Sequence, residues 1–366
     1  MINIQRRYFT YFDWTTIALL LCISSISLLF VFSATYTATA PFSVFFKKQA
    51  LGIISGIAIY FILSFIDYRI FCRWGYFVYF FIIGLLTFTL VKGTIGMGAK
   101  RWVNLLFFKF QPSELTKLFF PSFVTYFLYT QNHTPEYSAK DWSILISLLL
   151  FSSLLIMKQP DLGTAILIGL SGFTLLWLAG LSKKFFLAFG LCLMLTLPVS
   201  WHFLKEYQKK RIAVFLGQGE SNKERYHIEQ SKIAIGSGGF LGKGFLQGTQ
   251  NKLLFLPESR TDFIFSVICE EWGLLGALSV LLLYAFLFIR LLLLTQNSTN
   301  FFAQLLAIGL VIHIMYSMII NIGMVIGLLP IVGIPLPFLS YGISNMWVNF
   351  ASLGCLSNIL IRQQIH

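Results

Sequence analysis

Asp262 stands at the head of a long apolar run, with Thr261 before it and Phe263, Ile264 and Phe265 directly after it. A carboxylate at the edge of an apolar phase is partly desolvated, which suits a group that must take up a proton. Helix capping explains one of Thr261 and Asp262 but not both. It does not reach Glu270 and Glu271, two turns further in. Just upstream, Leu256-Pro257-Glu258-Ser259-Arg260 brings more charge to the same point.

Three other stretches set polar groups among apolar ones. In Gln111-Pro112-Ser113-Glu114-Leu115-Thr116-Lys117, Pro112 suits a first helical turn. Ser113 and Glu114 then meet the positive end of the helix dipole. Glu114 and Lys117 are spaced i,i+3 and share a helix face. A salt bridge that only eases insertion accounts for that pair. Arg101 and Gln111, expected to crowd the same end, exceed what one ion pair requires. Between two apolar runs, Lys158-Gln159-Pro160-Asp161-Leu162-Gly163-Thr164 is so short that Asp161 must sit at a membrane face, as a helix cap or as a site residue. Finally, Pro330, Pro335 and Pro337 forbid a regular helix, and the uncharged segment through Ser340 must fold back into the protein. Asn321, Asn345 and Asn349 flank it as helix-packing candidates.

Composition says which elements hold these groups. Apolar residues make up 57% of the 366-residue chain and charged residues 11%, too few charges for a water-soluble surface. That excludes a soluble enzyme, a disordered tail and a nucleic-acid-binding domain. A bilayer core needs about 20 apolar residues per helix. Ten spans meet this, at roughly 14–35, 49–66, 74–92, 112–130, 142–158, 162–180, 184–204, 262–290, 302–328 and 340–362. Barrel-type alternation is absent, so the fold is expected to be all-α. It forms a polytopic membrane protein, one domain over 1–366, with a long extracytoplasmic loop at 205–261 that holds re-entrant or interfacial helix. The first span is expected to be retained as a signal-anchor, despite the cleavage-like Ala38-Thr39-Ala40, because its apolar stretch exceeds a signal peptide's.

With the N-terminus in the cytoplasm, inside segments hold nine Lys/Arg and outside segments seventeen, ten of these between Lys205 and Arg260. Long loops cross largely regardless of charge. Without that loop the count is nine to seven, a vote for both termini inside. The outside excess, which includes Lys100, Arg101 and Lys109, fits lipid headgroups or a basic cavity for a phosphate-bearing ligand. Five cysteines and five histidines are scattered without metal-ligand spacing. Gly236 to Gly244 looks like a phosphate-cradling loop but lacks a preceding strand, so a flexible turn after an amphipathic segment is expected instead.

The stretches GAKRW at 98–102, FQPSELTK at 110–117, KQPDLGTA at 158–165, QSKIAIGSGGFLGKG at 230–244, LPESRTDFIFSVICEEWG at 256–273 and NIGMVIGLLPIVGIPLPFLSYG at 321–342 resemble, in this order, the SEDS family of cell-wall polymerases (the RodA/FtsW/SpoVE group). Short termini and loop style are closer to the RodA, elongation, branch. One departure is Ile343-Ser344-Asn345, where the family usually reads Gly-Ser-Ser. The resemblance implies a peptidoglycan glycosyltransferase of the bacterial inner membrane. It would polymerise lipid II and expel undecaprenyl diphosphate. The family's essential aspartate falls on Asp262 and its cavity residues on Arg101, Glu114, Lys117 and Asp161. A class B penicillin-binding transpeptidase and rod-shape (elongasome) proteins are the implied partners.

The residues agree with that chemistry. Glycosyl transfer onto a hydroxyl needs a base, and a leaving diphosphate needs positive charge. Asp262 supplies the first; Arg101, Lys117 and loop cations such as Arg211 supply the second. A single base without a carboxylate nucleophile fits direct displacement with inversion. The expected substrate contacts are Arg101, Trp102, Gln111, Ser113, Glu114, Lys117, Gln159, Asp161, Arg211, Glu258, Thr261 and Ser340. A divalent cation at the diphosphate stays open, although no all-protein ligand set is visible. A lipid II flippase and a non-catalytic transpeptidase scaffold are the competing readings.

Overall fold

The computed structural model describes residues 12–39, 41–96, 99–105, 108–131, 137–203, 209, 213–214, 222–253, 255–256, 258–296, 298 and 300–365. Ten helices fall on the ten expected spans: α1 (Trp14–Thr35), α2 (Val44–Phe65), α3 (Tyr68–Lys92), α4 (Pro112–Thr130), α5 (Ala139–Lys158), α6 (Leu162–Leu178), α7 (Lys183–Phe203), α10 (Ile264–Gln296), α11 (Phe301–Val325) and α12 (Ile343–Ile365). Within the long loop lie α8 (Asn222–Ser237) and the single turn α9 (Thr249–Lys252). By length and composition, α1, α2, α3, α5, α10 and α11 can each cross a membrane on their own. In α4 and α12 several polar residues that lower apolarity, namely Glu114, Lys117, Asn349 and Asn358, are buried within the protein.

Several helices start earlier than apolarity alone indicates, because caps rather than hydropathy set their ends. Ser43 Oγ accepts from Phe46 N at 3.1 Å and opens α2 ahead of Lys47 and Lys48. Asp67 accepts from Arg69 N at 2.9 Å and opens α3 ahead of Arg73. Ser138 and Asp141 form a capping box at the head of α5. One element departs from the all-helical expectation. Between α3 and α4 the chain forms a small antiparallel meander, β1 (Thr94–Gly96), β2 (Ala99–Leu105) and β3 (Phe108–Phe110), in the order β1-β2-β3. Thr94 pairs with Trp102 and Val103 with Phe110. Aromatic and β-branched residues favour this local pairing.

Two apolar clusters make the core. One gathers α1, α2, α10, α11 and α12, with Phe30, Val280, Tyr284, Leu310 and Phe350 among its members. The other gathers α3 to α6, with Tyr79, Phe123, Leu149 and Leu175. Helix α4 stands between them: its Leu118 belongs to the first and its Phe120 to the second. The helix carrying Glu114 and Lys117 is therefore buried on two sides. Ion pairs join one end of the bundle, Arg290 to Asp13 at 2.6 Å and Arg362 to Asp67 at 3.0 Å. The turn before α10, the non-helical segment through Ser340 and the end of α1 lie at the other end, tied together by the hydrogen bonds described below.

Candidate active site

A tight turn over residues 258–263 presents Asp262. Glu258 takes a φ of 50°, and its carbonyl accepts from Thr261 N at 3.1 Å and Phe263 N at 3.3 Å. Its carboxylate accepts from Thr261 Oγ1 at 3.1 Å. Three successive carbonyls of the turn are then held from outside it. Arg260 O accepts from Tyr341 N at 2.9 Å, Thr261 O from Ser340 Oγ at 2.5 Å, and Asp262 O from Asn321 Nδ2 at 3.0 Å. Asn321 Nδ2 also donates to Ile334 O at 2.7 Å. The proline-bearing segment, non-helical and largely buried as its sequence requires, thus fixes the backbone from which the half-buried Asp262 projects. Gly333, at a φ of 72°, passes so close that a Cβ there would lie 3.4 Å from Asp262 Oδ2.

Asp161 is both cap and cluster centre. Its Oδ1 accepts from Thr164 N at 3.3 Å, at the head of α6. Its Oδ2 accepts from Gln111 Nε2 at 2.7 Å and lies 3.5 Å from Arg101 Nη1. Gln111 Nε2 also donates to Ser113 Oγ at 2.9 Å. A Cβ on Gly163 would fall 2.4 Å from Val332 O. The head of α6 and the Asp262 carboxylate therefore both abut the short Val332-Gly333-Ile334 stretch.

Glu114 and Lys117 pair at 2.7 Å, with side chains 6% and 1% exposed. Glu114 Oε2 also accepts from Asn345 Nδ2 at 3.0 Å, and Asn345 Oδ1 accepts from Asn349 Nδ2 at 2.9 Å. His313 of α11 is fully buried against Lys117 and Asn349. Arg101 and Gln111 gather near the head of α4, as expected, but not on this pair. Both lie outside the helix, on β2 and at the cap of α4, and turn to Asp161 instead. Sequence reading missed His313, although a lone histidine in an apolar helix was the available signal.

Two expected substrate contacts make hydrogen bonds inside the protein. Gln159 Nε2 donates to Leu86 O at 2.9 Å and Thr89 Oγ1 at 2.7 Å, tying α5 to α3. Ser340 Oγ, besides its bond to Thr261, accepts from Leu336 N at 2.8 Å. Trp102 is half-buried beside Arg101, whose Cζ lies 6.0 Å from the ring centroid. Arg211, and the side chains of Lys100 and Lys109, lie outside the described residues.

Glu270 and Glu271 hold the glycine-rich run, which is docked rather than flexible. Helix α10 breaks at Gly273, where φ is 65° and ψ −158°. The groups released by the break find partners in the run: Lys243 N donates to Glu270 O and Gly244 N to Glu271 O, each at 2.9 Å. In return Leu274 N donates to Gly239 O at 2.9 Å and Leu275 N to Phe240 O at 3.3 Å. Every buried backbone group in the exchange is satisfied. The Glu270 carboxylate accepts from Lys243 Nζ at 2.7 Å and Gln250 N at 3.0 Å. That of Glu271 accepts from Leu246 N at 3.1 Å and from Ser33 Oγ of α1.

Comparison with known proteins places this arrangement. Peptidoglycan glycosyltransferase MrdB of Escherichia coli is 38% identical over 350 residues, covering 95% of this chain and 93% of that protein. MrdB of Helicobacter pylori is 35% identical over 363 residues, covering 98% and 92%. Among solved structures, a chain of a peptidoglycan synthase complex that coordinates polymerization and crosslinking superposes with a TM-score of 0.81 at 27% identity, covering 96% of this chain and 98% of that one. The rod shape determining protein RodA of Thermus thermophilus gives 0.71 at 25% identity, covering 97% and 98%. The cell cycle protein family of FtsW, RodA and SpoVE matches residues 13–365. A turn-borne carboxylate, a buried ion pair and a folded-back proline segment are thus set in a helical frame shared over nearly the whole chain, and the chain belongs to the FtsW/RodA/SpoVE family.

Proposed function

We propose that the protein is a peptidoglycan glycosyltransferase that polymerises lipid II into glycan strands during cell-wall elongation. Asp262 takes the proton from the acceptor sugar's 4-hydroxyl. That oxygen bonds to the anomeric carbon of the growing chain, the bond from that carbon to the diphosphate oxygen breaks, and undecaprenyl diphosphate leaves with inversion. One observation carries the reading: three consecutive carbonyls of the turn that bears Asp262 are held from outside the turn. A general base acts only when its position relative to the hydroxyl is fixed. Arg101, whose side chain is 21% exposed, and loop cations including Arg211 stabilise the departing diphosphate, whereas Lys117 is enclosed with Glu114. A divalent cation would be held chiefly by the diphosphate and one or two carboxylates, since among the described residues no three His, Cys, Asp or Glu converge.

The chain is a multi-pass membrane protein. The same reading puts it in the bacterial inner membrane with both termini in the cytoplasm and the 205–261 loop outside. Its partners are then a class B penicillin-binding transpeptidase and the elongation machinery. The synthase complex that coordinates polymerization and crosslinking supports a crosslinking partner. Purified protein given labelled lipid II tests the function. A glycan ladder supports it; translocation across vesicles without a ladder makes the protein a flippase; neither leaves a scaffold.

A further inference from the structure

We propose that Arg260 is the cation that receives the substrate's diphosphate beside Asp262, an inference that rests on the glycosyltransferase reading above. Three other cations proposed for or docked near the site are already matched. Lys117 is paired with Glu114 and Arg101 with Asp161, and Lys243 of the docked run is paired with Glu270. An ion pair carries no net charge and draws a distant dianion weakly. Lys117 is also closed off from solvent. Arg260 differs: among the described residues no carboxylate forms an ion pair with it.

Its side chain is nevertheless held. The Arg260 Cζ lies 4.0 Å from the ring centroid of Phe45, at the head of α2. Tyr341 braces that ring edge-on, with centroids 5.4 Å apart and planes at 89°. The same Tyr341 donates its backbone N–H to Arg260 O. Backbone and guanidinium are thus anchored by one neighbouring pair of aromatic residues. A guanidinium packed over a ring makes no hydrogen bond to it and keeps N–H donors for an anion, and its fork matches two phosphate oxygens. Arg260 stands two residues from Asp262 on the same turn, so an anion bound there is held on the turn that carries the base. Holding the cation in place beforehand lowers the ordering cost of binding. Lysine would keep the charge but lose both the stacking and the fork.

The test uses the purified full-length protein. Binding of undecaprenyl diphosphate and of undecaprenol is measured alongside KM for lipid II and the melting temperature. Arg260→Gln is expected to weaken diphosphate binding about tenfold or more, to raise KM in parallel, and to leave undecaprenol binding unchanged. Arg260→Lys and Phe45→Leu are expected to lose part of that affinity, and they carry the test should Arg260→Gln fail to fold. Wild-type diphosphate affinity in Arg260→Gln, or an equal loss for undecaprenol, overturns the inference. If the wild-type protein still makes glycan in that case, the glycosyltransferase reading stands. If the wild-type protein makes none, that reading itself falls.

Discussion

Glu114 and Lys117 illustrate how far residue types alone lead. Their spacing gives the pair, and the structure closes it at 2.7 Å inside the protein. Breaking a buried pair from one side costs about 3–5 kcal/mol, whereas replacing both partners with neutral groups is often tolerated. The double variant Glu114→Gln/Lys117→Met is therefore expected to melt closer to wild type than either single variant, yet to remain inactive in polymerisation. An active double variant would reduce the pair to scaffolding. Gly333 makes the complementary case. At its φ of 72° an alanine is strained by roughly 1 kcal/mol, and its methyl would touch the Asp262 carboxylate. Gly333→Ala is expected to lower kcat far more than it lowers the melting temperature. Asp262, Glu114 and Asp161 were legible because an ionisable group among apolar residues stands out. Partners on other elements were not. Arg101 reaches Asp161 only through the return of β2, and Arg260 meets Phe45 only after α2 and the proline segment are brought together.

The helices were legible at the scale of elements, since each needs one apolar run of sufficient length. Their caps shifted the ends, and the β1–β3 meander escaped because its strands are short and one of them carries Lys100 and Arg101. The break in α10 was the least legible feature. A glycine-rich run reads locally as a loose turn, while its fit against Glu270 to Leu275 is a contact between distant segments. That fit is exacting: a Cβ on Gly242 would fall 2.2 Å from Glu271 O. Gly242→Ala is expected to cost about 1–3 kcal/mol through overpacking, seen as a lower melting temperature in detergent. Lys243→Met, which leaves the buried Glu270 carboxylate without its cation, is expected to cost at least as much. Wild-type melting in both variants would mean that the run is not held against the α10 break.

Contacts at the scale of the whole molecule agree with the alternation counted from the sequence. Asp13 meets Arg290 and Asp67 meets Arg362, all on segments the count assigns to the cytoplasm. Arg101, Gln111 and Asp161 meet on segments it assigns outside. Such pairs fix which ends share a face; labelling fixes the compartment. Gln247 is exposed on the docked run, and Gln247→Cys, in a background without the five native cysteines, is expected to react with a membrane-impermeant maleimide in intact spheroplasts. Reaction only after the membrane is opened would put the run in the cytoplasm. The central claim, that this frame exists to hold one base against a lipid-linked sugar, meets its most direct test in Asp262→Asn. The substitution keeps size and polarity and removes proton acceptance. Purified Asp262→Asn protein is expected to extend lipid II at least about 10²-fold more slowly than wild type, with an unchanged melting temperature and unchanged lipid II binding. A glycan ladder of wild-type length and yield from that protein would contradict the account.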